Sequence, residues 1–264
     1  MNSLILGWIQ GASVLIEKNL KKPLLWLPCR HHIAELLVGA AWYKIFGEDK
    51  APYIQQFKEF KAKWNSIDKS KIIGLEVSAA LKPLADQVIT YCQNQLNSKK
   101  KIRDDYKESL ELVLVCLGKP PSNYTLKLPG ALSKARWMAI LIYGIKIFLF
   151  RFELKKTKVE QKKLERFATF ACLFYVKHWF QAPIAVDAPK TDLQLFHDMF
   201  RYKTFDLQVA NAVLTKLRGH TWYINQEYVP LSLFSSIVSN EEKAEIANKL
   251  INTAPSKTYT GKVN

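Results

Sequence analysis

With 264 residues, 48% of them hydrophobic and 12% aromatic, the chain has material for a sizeable core, which excludes disorder as its general state. Only 10 Gly and 11 Pro, spread between long apolar-periodic stretches, argue for helices and against a β-sandwich or barrel. A net charge of +16 at pH 7 directs it towards polyanions, nucleic acid first and an anionic membrane surface second, with a merely soluble basic surface as the plainer alternative.

Leu4 to Leu20 is predicted as a helix with a basic end at Lys18, Lys21 and Lys22. A short apolar run, Leu24 to Leu27, is predicted as a strand stopped by Pro28, followed by Cys29-Arg30-His31-His32 and a helix from Ile33 to about Phe46. Tyr53 to Trp64 reads as a short basic helix, and everything beyond Lys71 reads as helical. Val77, Leu81, Leu84, Val88, Cys92 and Leu96 form a buried stripe kinked at Pro83, and Asn97 to Arg103 is a basic loop. Asp105 with Glu108 reads as an acidic N-cap, and Gly118 to Asn123 ends that helix. The most apolar helix runs from Pro129-Gly130 to about Phe152. Capping boxes are expected at Thr157/Glu160, Thr191/Gln194 and Ser239/Glu242, with further helices near Phe205 to Leu217 and Trp222 to Val238.

Four scattered cysteines, Cys29, Cys92, Cys116 and Cys172, read as reduced, buried thiols and not as a disulfide framework. No signal peptide is expected, and the longest apolar run, Met138 to Phe150, contains Lys146 and is shorter than the roughly 20 residues of a membrane span. A nuclear or cytoplasmic protein, neither secreted nor membrane-bound, is expected.

Reactive side chains concentrate at Cys29 to His32. Cys29 and His32 are half of a zinc site without the other half in sequence, and as a nucleophile pair at i, i+3 their geometry is poor. His178 continues an apolar stripe and reads as a core histidine. Glu227 is a lone acid in an aromatic segment, either a metal ligand or a partly exposed carboxylate. Arg136-Trp137 reads as a stacked clamp for nucleic acid, or as a core tryptophan beside a paired arginine. For phosphate contact the candidates are Lys99, Lys100, Lys101 and Arg103 in the loop, and the Lys155, Lys156, Lys158, Lys162, Lys163 and Arg166 face.

Taken together, Gly11 to Glu17, Leu24 to His32, Pro129-Gly130-Ala131 with Ala135-Arg136-Trp137-Met138, and Trp222-Tyr223 with Glu227 resemble transposon-derived animal proteins distantly related to hAT-type transposases. The resemblance implies a mainly α chain. An incomplete RNase H-like α/β remnant, with its strand near 24–28, would occupy residues 1–50. A long all-helical insertion domain would cover 51–218, helices returning to the core 219–253, and a flexible tail 254–264. Cys29 and His32 match the family's C/D-x-x-H motif, Arg136 and Trp137 the insertion's Arg-Trp, and Glu227 the last catalytic acid. Such transposases cut DNA with two metal ions held by three carboxylates. Here Cys29 stands at the second of those positions and no Asp precedes Asp49, so two of the three ligands are missing. The expectation is a domesticated, non-catalytic DNA-binding protein with no cofactor, magnesium entering only if the chain is an active nuclease. A helical protein-interaction module is the alternative, through self-association or a complementing full-length relative.

Overall fold

The helix Arg30–Phe46 (α2) is apolar at nearly every third and fourth position, and Ile33, Ala34, Leu37, Val38, Ala41, Trp42 and Ile45 are all buried. So broad an apolar surface forces the helix into the middle of the molecule. A computed structural model, describing residues 11–48, 54–99, 101–130 and 138–253, places it there. Around it in chain order lie α1 (Ala12–Leu20), α3 (Gln55–Lys63), α4 (Lys82–Asn97), α5 (Asp104–Cys116), α6 (Ala139–Leu149), α7 (Lys158–Thr169), α8 (Val176–Gln181), α9 (Ala188–Tyr202), α10 (Leu207–Arg218) and α11 (Asn240–Thr253). A π-helical turn, Phe170–Tyr175, joins α7 to α8. The chain is mainly α, and one hydrophobic core runs through α2 and from α3 to α10.

The strand expected near 24–28 is not formed, and no β-strand occurs among the described residues. The segment is extended, and side chains hold it in place of a neighbouring strand. The Leu24 N–H donates to Glu17 Oε1 at 2.7 Å, the Tyr228 hydroxyl to the Trp26 carbonyl at 2.5 Å and the Tyr223 hydroxyl to the Pro28 carbonyl at 2.5 Å.

Proline moved two other boundaries. Pro83 sits in the first turn of α4, where its missing N–H costs nothing, so Val77 lies before the helix and there is no kink. Residues 72–78 are an extended strap: the Ile73 and Leu75 N–H groups donate to the last carbonyls of α6 and α5, Leu149 (3.1 Å) and Cys116 (2.7 Å). Gly74 is required in the strap, because a Cβ there would lie 2.7 Å from the Cys116 carbonyl oxygen. Pro189 likewise starts α9 early, so Thr191 lies inside the helix and caps nothing. The boxes at Thr157/Glu160 and Ser239/Glu242 are present as expected.

Asp105 is not a cap but lies in the first turn of α5, bound by Arg103, while Glu108 faces Lys146. Trp222 to Val238 is not one long helix; it holds two short 3-10 segments, Trp222–Ile224 and Val229–Phe234. In α6, Gly144 lets the Phe167 ring approach so closely that a Cβ would meet it at 2.2 Å. No helix among the described residues is long and apolar enough to cross a membrane.

Candidate functional site

The four polar residues singled out in the sequence part company at the N-terminus of α2. Arg30 turns inward and is buried. Its guanidinium donates to the Gln181 carbonyl at 3.0 Å, the Ala182 carbonyl at 3.2 Å and Thr191 Oγ1 at 2.8 Å, and it forms an ion pair with Asp192. Its central carbon lies 5.4 Å from the centre of the Tyr223 ring. One planar cation thus closes the carbonyl end of α8, favoured there by the helix dipole, and ties α2 to α9. A cavity of about 30 Å³ adjoins Arg30, Asp192 and His178, room for a water or two and too small for a substrate.

His31 stacks on Trp179 with ring centres 4.4 Å apart, and its Nε2 lies 3.2 Å from the Trp179 carbonyl. Burial is the largest influence on this imidazole and lowers its pKa, so it packs as a neutral ring. Cys29 is exposed at the N-cap position, and its thiol makes no cap bond. His32 is half-exposed, 3.8 Å from Glu35. Among the described residues, no group of three His, Cys, Asp or Glu is arranged to hold a metal ion.

The Tyr223 and Tyr228 hydroxyls fasten their segment to residues 26–28. Glu227 lies in the returning turn but is exposed, its N–H received by Asn225 Oδ1 at 3.0 Å. Arg136 and Trp137 lie outside the described residues, as does Lys100. The other three cysteines converge in the core: Cys172 hydrogen-bonds Cys116 beside Cys92, and burial pushes the Cys92 thiol up to about 12. These thiols are free and inert.

The basic candidates fall into two groups. Lys99 and Lys101 are exposed, while Arg103 is held by Asp105 and lies 4.5 Å over the Tyr106 ring. Lys155, Lys158 and Lys162 are exposed, Lys163 is half-buried, and Lys156 is bound to Glu160 at 2.9 Å.

Compared with family models, curated proteins and solved structures, the chain matches none of them.

Sequence reasoning missed the partners of Arg30. Thr191 and Asp192 lie some 160 residues away, disguised as the start of a helix; Pro189 was the available sign that α9 begins before them.

Many carboxylates are committed to such internal contacts, and acid should test this. The Thr157 backbone N–H, then Lys156, hold Glu160 down to about 2. Burial pushes the Asp198 and Asp206 carboxyls up, but His178 and Arg166 with their companion hydrogen bonds outweigh it and leave both below the ordinary range. Groups with depressed folded values stabilise fully above their unfolded values and lose that stabilisation as pH falls through the folded ones. The urea midpoint should therefore drop between about pH 5 and about pH 2, and Asp206→Asn should flatten that dependence.

Proposed function

We propose that the protein is a non-catalytic nucleic-acid-binding protein that holds the phosphate backbone with a basic helical surface and reads little sequence. The observation carrying this reading is how the acids are spent. Burial removes Asp105, Glu108, Asp187 and Asp192 from the surface but only Arg30 and Lys146 among lysines and arginines of the described residues. Further carboxylates are bound by Arg166, Lys156 and Lys190. The excess positive charge of the chain therefore lies outside, where polyanions bind. Lys158 and Lys162, four residues apart, line one side of α7, Lys155 lies in the turn just before it, and none of the three forms an ion pair among the described residues.

The resemblance to hAT-type transposases agrees with a DNA partner, the helical body corresponding to their insertion domain and residues 24–32 to a remnant of their RNase H-like core. Cys29 at the position of the second expected carboxylate is the reason for a binding role without strand cleavage.

The test is binding to a mixed-sequence DNA duplex at about 50 and 200 mM salt, with and without magnesium. With 6–10 phosphate contacts, affinity should fall by about a thousandfold or more across that range, the DNA staying intact. The triple variant Lys155→Glu, Lys158→Glu, Lys162→Glu should lower the salt slope by roughly 2 to 3, about 0.9 for each phosphate no longer neutralised by a lysine. DNA cleavage that disappears in Glu227→Ala would overturn the non-catalytic part. No binding at low salt would overturn the reading as a whole and favour an interaction module. For that second reading the specific observation is the exposed apolar series Leu15, Ile16, Leu20, Leu25 and Leu27.

A further inference from the structure

We propose that a groove between α4, the π-helical turn and α9 binds a small phosphorylated ring compound of the mononucleotide class. The groove has a volume of about 540 Å³, the size of pockets that hold small ligands. Its floor is apolar, from Leu84, Val88, Leu173 and Phe174. The last two come from the π-helical turn, a distortion that recurs at functional sites.

The walls supply three kinds of polar contact. Lys177 on α8 and Arg201 on α9 line the groove, and neither forms an ion pair among the described residues. The acids beside them are already engaged. Asp198 accepts from Gln194 Nε2 at 2.9 Å and is 3.1 Å from His178 Nε2, and Asp86 is 3.4 Å from Lys82. Lys177 acts on the Asp198 carboxylate only through space, and Arg201 has no ion pair among the described residues, so the two cations over a partly desolvated floor select an anion, and a phosphate matches the arginine fork.

The ring is selected by α4. Gln87 and Tyr91, one turn apart, both line the groove. The Tyr91 ring is half-buried and has no aromatic partner among the described residues, leaving it available for a planar ring to stack on. Burial pushes its phenol up, so the hydroxyl remains a neutral donor. The Gln87 amide next to it offers a donor and an acceptor to a ring edge. On α9, Gln194, Asp198 and Arg201 recur at helical spacing, so the Gln194–Asp198 pair and Arg201 share one wall.

The site is independent of the α7 surface, and its test keeps the two apart. The full chain is titrated calorimetrically with adenosine monophosphate, adenosine and inorganic phosphate. Adenosine monophosphate should bind saturably and more tightly than either fragment. Lys177→Ala and Arg201→Ala should each weaken it about tenfold or more, and Tyr91→Leu should weaken it without changing phosphate binding. The α7 triple variant should bind it unchanged. All three groove side chains reach solvent, so unchanged urea midpoints will show that these variants fold. Absence of saturable binding up to millimolar nucleotide overturns the proposal, as does binding that survives loss of both cations. Phosphate binding as tight as nucleotide binding, with no effect of Tyr91→Leu, overturns the ring-binding part.

Discussion

Arg30→Ala is expected to lower the unfolding free energy by about 3–5 kcal/mol, the usual cost of stripping one partner from a buried ion pair. Four acceptors lose their donor together: the Gln181 and Ala182 carbonyls, Thr191 Oγ1 and the Asp192 carboxylate. Burial pushes the Asp192 carboxyl up and Arg30 pulls it back, so the variant leaves burial opposed only by His178. For a domain whose whole stability is about 5–15 kcal/mol, that loss is a large fraction. Urea unfolding followed by far-ultraviolet dichroism reads it directly. Arg30→Lys should recover only part, because an ammonium cannot span carbonyls and carboxylate as the planar fork does. Arg30→Met with Asp192→Leu should recover most, since it removes both charges at similar volume. A loss below about 1 kcal/mol in Arg30→Ala would show that the hub does not organise the fold.

Lys146→Ala should destabilise by a similar amount, about 3–5 kcal/mol. Lys146 is fully buried in the most apolar helix, with its Nζ 2.5 Å from Glu108 Oε1 and 2.7 Å from the Lys127 carbonyl. It also lies 5.5 Å from the Trp64 ring centre, so α6 is tied at once to α5, to the loop before it and to the 3-10 turn after α3. Without the ammonium, the Glu108 carboxylate is left buried with no countercharge. The melting temperature should fall by about 10 °C, at roughly 2–4 °C per kcal/mol for a chain of this size. Lys146→Met with Glu108→Leu should return most of the loss. If the single variant melts like the parent, the pair does not hold α6 in place.

Much of the helical organisation was legible without coordinates. The apolar periodicities of α2, α4, α5 and α7, and the capping boxes at Thr157 and Ser239, depend on residues within one or two turns, and local sequence carries that information. The failures share a cause. Leu24 to Leu27 has strand-like composition, but a strand needs a partner edge, and the chain meets tyrosine hydroxyls instead. Pro83 reads as a kink in an apolar stripe and Thr191 with Gln194 as a cap, although a proline in the first turn, as at Pro83 and Pro189, is itself a helix start.

Cys29-Arg30-His31-His32 shows the division most clearly. Its residues announced dense chemistry, and local spacing pointed to Cys29 and His32 as the pair to watch. Which member mattered was decided by helices far along the chain: α8 aims its terminal carbonyls, and α9 its aspartate, at Arg30. By itself the sequence determined a mainly helical, strongly basic protein with a buried apolar core, because periodicity and net charge are sums over near neighbours. Only the tertiary structure decided which charges are consumed inside, which lysines are left outside and where a groove opens, because burial and ion pairing depend on contacts between distant residues.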